Sequence, residues 1–211
     1  VMVTASHNPK EYNGFKFAID YSETLVSDGM QELKKMVEQE DYEPAKKLGK
    51  IETRDIKNEY FTDIIKRLPL NKKFKIVVDA SAATAGAIAP DLLRRVGCEV
   101  IESNCQIDPT FPIGTPDPTE TALAERLSKK VIAENADLGF SYDTDGDRIG
   151  IVDNKGKVIW NDVLLALFAI DVLHDHPNSK IMYNTLCSKV VEETIKNNGG
   201  EPFMWRVGHS F

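Results

Sequence analysis

The sequence is short of cysteine, of positive charge and of long apolar runs. Its longest uninterrupted apolar stretch, Val163 to Ile170, falls far below the roughly 18 residues that a membrane-spanning helix needs, so no membrane anchor is expected. The three cysteines, Cys98, Cys105 and Cys187, are an odd number without a C-x-x-C pair. That argues against a disulfide framework and predicts reduced thiols and a cytoplasmic location. Lys and Arg total 26 against 33 Asp and Glu, a net charge of -7. A phosphate-backbone binder needs a clustered excess of base, so nucleic acid is not an expected partner. Neither an initiator Met at position 1 nor a signal-peptide n-region is present, and the chain stops just after the strand-like Phe203 to Val207; both ends read as cut from something longer. What remains is ordinary: 211 residues, 42% hydrophobic and 28% charged, ample to bury a core in one large domain or two small ones.

The hydrophobic pattern alternates between strand and helix. Phe74 to Asp79 is a β-branched run followed by a small-residue turn and by Pro90 to Val96 at helical spacing. Glu99 to Ile101 is a second strand, Thr121 to Ile132 places Leu123, Leu127, Val131 and Ile132 on one helical face, and Leu138 to Tyr142 is a third strand. A second cycle is expected after the turn at Asp153 to Gly156: strand Val158 to Trp160, helix Asp162 to Leu173, strand Ile181 to Tyr183 and helix Ser188 to Asn197, ended by Asn198-Gly199-Gly200. Parallel strands need crossovers and the helices supply them. The prediction is an α/β protein of repeated mixed, mostly parallel sheet domains with helices packed on them, truncated at both ends. Its parts are expected at 1–57, 58–154 and 155–211, and the first contains a helix from Asp28 to Glu40 with Met30, Leu33, Met36 and Val37 facing inward.

Two loops carry chemistry-bearing residues. In Thr4-Ala5-Ser6-His7-Asn8-Pro9, Pro9 biases Asn8 away from helix, so Ser6 either presents its hydroxyl from an exposed loop or simply belongs to a Ser/Asn turn. The neighbouring His7 does not make a hydrolase, because no G-x-S-x-G elbow surrounds Ser6. In Asp143-Thr144-Asp145-Gly146-Asp147-Arg148, three carboxylates stand at alternate positions. An extended loop points them one way, toward a hard cation such as Mg²⁺, whereas a surface turn would splay them into water. The EF-hand pattern fails, with Arg148 where Gly is required and Asn154 where a bidentate Glu is required. Arg148 reads as a phosphate clamp or as a neutraliser of the aspartates.

Taken with Tyr12-Asn13-Gly14-Phe15-Lys16 and Gly208-His209-Ser210, these segments resemble the α-D-phosphohexomutases, the phosphomannomutase/phosphoglucomutase family, in the same order along the chain. Ile76 to Asp79, Phe111-Pro112 with Pro116 to Glu120, and Trp160-Asn161-Asp162 are similar too, so the resemblance extends over essentially the whole chain. It implies a Mg²⁺-dependent enzyme that interconverts hexose 1-phosphate and hexose 6-phosphate of mannose and/or glucose. Ser6 is then the phosphoserine, glucose 1,6-bisphosphate or mannose 1,6-bisphosphate the activator and intermediate, and Ser6, Asp143, Asp145 and Asp147 the metal ligands. Lys16 would assist proton transfer at the sugar hydroxyl, with a pKa lowered by Mg²⁺ and Arg148, and His7 would join it in catalysis; Arg148, Gly208 and His209 would bind substrate. Leu186 stands where many relatives carry a lysine, so that substrate contact is not carried over, and Thr144 stands where Gly is commoner. The resemblance also implies that the fourth domain and the sugar-reading loop of the third lie outside this chain, which alone should be nearly inactive. Glucosamine phosphate mutase and a non-catalytic cation-binding α/β module are the rival readings, and the oligomeric state is left open.

Overall fold

The computed structural model describes residues 1–20, 23–68 and 70–208. The chain opens with four short strands, β1 (Met2–Val3), β2 (Phe15–Lys16), β3 (Ala18–Asp20) and β4 (Glu23–Thr24), then helices α1 (Ser27–Glu38) and α2 (Lys57–Arg67). Next come β5 (Lys75–Asp79), a 3₁₀ turn (Thr84–Ala87), α3 (Ala89–Arg95), β6 (Glu99–Ser103), α4 (Thr121–Glu134), β7 (Leu138–Tyr142), β8 (Ile149–Asp153) and β9 (Val158–Ile159). The last elements are α5 (Asn161–Asp175), β10 (Lys180–Asn184), α6 (Lys189–Asn197) and β11 (Glu201–Trp205).

The central sheet has the order β6-β5-β7-β8-β9. β5 pairs in parallel with both β6 and β7, while β7–β8 and β8–β9 are antiparallel. The architecture is thus α/β with a mixed sheet. Because successive strand residues point to opposite faces, β5 feeds two cores. Ile76 and Val78 pack with Ala85 and Ala89 on the α3 side; Val77 packs with Leu127 and Val131 of α4 and with Val152 of β8. Gly139 in β7 permits the close approach of α4, since a Cβ there would stand 2.5 Å from Val131 Cγ2. Asn135 ends α4 in the left-handed conformation. Farther on, β10 and β11 form a parallel pair with α6 as crossover, and Leu173 of α5, Tyr183, Val191 and Ile195 make a third core.

The two faces of β5 are separated at its carboxyl end by a buried carboxylate. Asp79 is fully buried and accepts hydrogen bonds from the Ser81 amide at 2.9 Å, Asn104 Nδ2 at 3.0 Å and Arg126 Nε at 2.8 Å. Arg126 comes from α4 and Asn104 follows β6, so this one side chain ties three elements together where α3 and α4 diverge to opposite faces. Ser81, Ala82 and Asn104 all adopt positive φ there, backbone strain that this network holds in place.

Several expectations are corrected. β9 pairs with β8 and completes the first sheet instead of opening a second cycle. Helix α1 forms, but none of its residues is buried, and Met30, Met36 and Val37 are exposed; among the described residues its apolar stripe faces no core. Ile132 is likewise more than half exposed, although Leu123, Leu127 and Val131 are buried as expected. Among the described residues no helix is long and apolar enough to cross a membrane.

Candidate active site

The serine loop hangs between β1 and β2, which pair antiparallel. Its base is closed by the Thr4 amide donating to the Gly14 carbonyl at 2.9 Å. That closure requires glycine, because a Cβ at position 14 would come within 2.4 Å of the Thr4 carbonyl oxygen. Within the loop Ser6 sits at φ 53, the left-handed region that serine seldom occupies. Its amide donates to Thr4 Oγ1 at 3.0 Å, and this anchors the strained residue with its side chain turned to the second loop.

That second loop is the turn of the β7–β8 hairpin. It brings Asp143, Asp145 and Asp147 together so that one oxygen from each lies within 4.8 Å of the others, as the alternation in the sequence predicts. Asp143 is fully buried. Burial pushes its carboxyl above the ordinary range, opposed by the Arg148 amide and reinforced by the charges of Asp145 and Asp147. At Asp145 burial acts in the same direction, but the Thr4 hydrogen bond and the Lys16 ammonium outweigh it and hold the carboxyl below its usual value. Asp145 Oδ1 is buried and accepts no hydrogen bond among the described residues. An acceptor so placed, beside two further carboxylates, is a donor set of hard oxygens that fits a divalent cation such as Mg²⁺.

The two loops meet. Ser6 Oγ lies 3.5 Å from Asp143 Oδ2, and Thr4 Oγ1 donates a short hydrogen bond to Asp145 Oδ2. Lys16 Nζ, from β2, lies 3.3 Å from Asp147 Oδ2 and 3.8 Å from Asp145 Oδ2, so the charges it faces there are opposite. Arg148 NH1 is 2.7 Å from His7 Nδ1. The guanidinium can only donate, so this nitrogen accepts, and its single in-plane lone pair is engaged by Arg148 rather than by Ser6 Oγ at 3.3 Å. The Arg148 backbone amide meanwhile donates to Asp143 Oδ1 at 3.2 Å.

Seven of the expected site residues therefore converge: Ser6, His7, Lys16, Asp143, Asp145, Asp147 and Arg148. Gly208 lines a cavity of about 350 Å³ with Leu165, Tyr183, Asn184 and Trp205, and His209 lies outside the described residues. Sequence reasoning missed Thr4, whose hydroxyl bridges the loops. It also missed Asp117: burial raises that carboxyl, but the Thr119 amide and hydroxyl together with the Arg148 charge bring it below its usual value. The Thr4–Asp145 separation of 141 residues leaves no local signal for such a contact.

Residues 1–44 match the family model described as phosphoglucomutase/phosphomannomutase, alpha/beta/alpha domain I, and residues 58–156 match the model for alpha/beta/alpha domain II. A phosphomannomutase/phosphoglucomutase of Pseudomonas aeruginosa is 42% identical over 210 residues, a match covering 100% of this chain and 45% of that protein. A phosphoglucomutase of Neisseria meningitidis is 37% identical over 211 residues, covering 100% and 46%. The crystal structure of a phosphoglucomutase/phosphomannomutase family protein from Burkholderia thailandensis superposes with a TM-score of 0.89 at 37% identity, over 99% of this chain and 45% of that one. The chain spans less than half the length of these relatives. With two consecutive family models matched in order and the same fold at substantial identity, the chain belongs to the α-D-phosphohexomutase superfamily.

Proposed function

We propose that the chain supplies the phosphoserine and cation-binding part of a phosphohexomutase that interconverts hexose 1-phosphate and hexose 6-phosphate, of mannose and/or glucose, through a bisphosphorylated sugar. The observation that carries this reading is the strained Ser6, held at φ 53 with its Oγ 3.5 Å from Asp143 in the carboxylate cluster. An unmodified turn serine has no need of that placement, whereas a phosphoryl carrier must stand beside the groups that neutralise its charge.

In this reading Ser6, as phosphoserine, hands its phosphoryl group to a sugar hydroxyl: the P–Oγ bond breaks, the new P–O bond forms, and the hydroxyl proton leaves with help from Lys16. The bisphosphate, glucose 1,6-bisphosphate or its mannose counterpart, then returns its other phosphoryl group to Ser6. Asp143, Asp145, Asp147 and the Ser6 oxygen would hold a divalent cation such as Mg²⁺, which when bound offsets phosphate charge and polarises the phosphorus. Arg148, forked toward the serine loop through His7, keeps the transferring phosphate in line. His7 fixes that guanidinium, and Gly208 with His209 would contact the sugar. The organisation that goes with this reading is the end of a first domain at 1–57, a second at 58–154 and the start of a third at 155–211, with β9 moved to the second because it pairs with β8. The reading places the enzyme in the cytoplasm.

The test is intact-mass and phosphosite mapping of the full-length protein before and after incubation with glucose 1,6-bisphosphate and Mg²⁺. A single phosphate on Ser6 is expected, with Ser6→Ala abolishing mutase activity while divalent-cation affinity persists. A folded protein that binds Mg²⁺ yet never carries phosphate on Ser6 would make the chain a non-catalytic cation-binding module.

A further inference from the structure

The aspartate loop does not hold itself. Its hairpin supplies the Arg148 amide to Asp143, but the peptide between Thr144 and Asp145 lies beyond the ladder, since the last β7–β8 pair is Tyr142 with Ile149. That peptide is held from outside by the 3₁₀ turn after β5. Thr84 directs two donors at the single carbonyl of Thr144: its hydroxyl at 2.5 Å and its backbone amide at 3.3 Å. One residue on, Ala85 faces Gly146: a Cβ built there would stand 3.6 Å from Ala85 Cβ. Fixing the Thr144 carbonyl fixes the peptide plane that carries the Asp145 nitrogen and Cα, so only rotation about the N–Cα bond is left to vary the direction in which the Asp145 side chain leaves the backbone. Thr4 and Lys16 engage Oδ2 of Asp145, and Oδ1 is buried without a hydrogen bond among the described residues, so the peptide is a further hold on this side chain.

The geometry points to Thr84 as a positioning residue for the cation site: its hydroxyl, bound to the Thr144 carbonyl, aims Asp145 at the shared cation position. This rests on the cation-binding reading given above and adds to it a residue outside both chemistry-bearing loops. Thr84 takes no part in the reaction itself. Outer partners that orient ligands commonly govern cation affinity by about 10-fold or more, and the retained backbone amide of Thr84 keeps the expected effect at the lower end of that range.

The experiment uses the full-length protein with Thr84→Val, which removes the hydroxyl at nearly constant size, and Thr84→Ser, which restores it. Thr84 is exposed, so the valine opens no cavity. Mn²⁺ is the probe, its dissociation constant read by electron paramagnetic resonance. The second readout is amide exchange of residues 143–148 in the EDTA-treated protein, which reports the hold on the loop with no ion present. Thr84→Val is expected to weaken Mn²⁺ about 10-fold and to speed that exchange, with melting temperature unchanged and kcat, not KM, reduced; Thr84→Ser should return all of these to within about two-fold of wild type. Retention of wild-type Mn²⁺ affinity and loop protection by Thr84→Val overturns the inference, as does failure of serine to restore them. Should the valine variant melt early, Thr84→Ala with the same two readouts decides by the same criteria. Asp145→Asn separates the two levels: if it binds Mn²⁺ as wild type does, the cation site itself is wrongly assigned and this inference falls with it, whereas a loss there beside an unaffected Thr84→Val overturns the Thr84 role alone.

Discussion

Replacing Arg126 by methionine strands the Asp79 carboxylate. Arg126 binds it through Nε at 2.8 Å and through its second amino nitrogen at 3.3 Å, and Asp79 is fully buried while the Arg126 side chain is 30% exposed. Removing one partner of a buried pair costs about 3–5 kcal/mol, because the remaining charge has lost its counter-ion where water cannot replace it. Partial exposure of Arg126 lets some solvent reach the pair, which places the expectation at about 3 kcal/mol. The Ser81 amide and Asn104 remain as hydrogen-bond donors, so the fold should survive. The assay is hydrogen exchange of the β5 and β7 amides, which open only when the central sheet opens. At about 1.4 kcal/mol per factor of ten, protection should fall by about 100-fold. The double variant Arg126→Met/Asp79→Asn should cost less than the two single changes added together, since asparagine removes the stranded charge. A fall in protection below about 5-fold, or strict additivity in the double variant, would refute the account of Asp79 and Arg126 as a buried, mutually dependent pair.

Gly14→Ala should distort the closure of the serine loop, because its Cβ meets the Thr4 carbonyl oxygen at 2.4 Å; Ser6 phosphorylation by the bisphosphate is expected to slow by about 10-fold or more, and an unchanged rate would show that the loop base does not position Ser6. Gly139→Ala drives a Cβ into Val131 and Leu127 at 2.5 and 2.9 Å and should destabilise the central sheet by about 1–3 kcal/mol, measured by chemical denaturation; a neutral result would mean that α4 is not closely packed on β7. Asp153 accepts the Lys157 and Lys155 amides at 2.8 and 2.9 Å, and these hold its carboxyl below the ordinary range, the Lys157 bond foremost. Its folded-state value therefore lies below the unfolded value of about 3.9, so its stabilisation is complete above that pH and is lost as the pH falls through the folded-state value. The stability gap between wild type and Asp153→Asn should be open near neutrality and close below about pH 4; a gap of the same size at both ends would overturn the assignment.

The alternation of strand and helix was legible because each element carries its own period. Leu138 to Tyr142 was placed to the residue, and Leu123, Leu127 and Val131 were correctly turned to the core. Helix α2 went unread although Tyr60, Phe61, Ile64 and Ile65 stand at helical spacing, and Phe61 is its one buried residue. The 3₁₀ turn Thr84–Ala87 is made of small residues with no period at all. β9 was misassigned because two residues carry no information about which neighbour they pair with. At the site, the convergence of the three aspartates followed from spacing within one loop, whereas the contacts of Thr4 with Asp145, Thr84 with Thr144 and Arg126 with Asp79 join positions far apart in the chain. Such pairs are set by topology, which a local pattern does not encode.

The cluster of carboxylates sits on the turn of a hairpin whose strands are already committed to a core. Val152 is buried against α4 and stands opposite Gly139, while Tyr142 stands opposite Ile149. Lengthening or shortening the turn by one residue would rotate β8 by one side-chain alternation, expelling Val152 and driving its neighbours inward. The loop's length is therefore tied to the core as well as to the cation site. A substitution that retunes ion preference leaves the register untouched, whereas an insertion or deletion that shifts β8 would be read first as a folding defect.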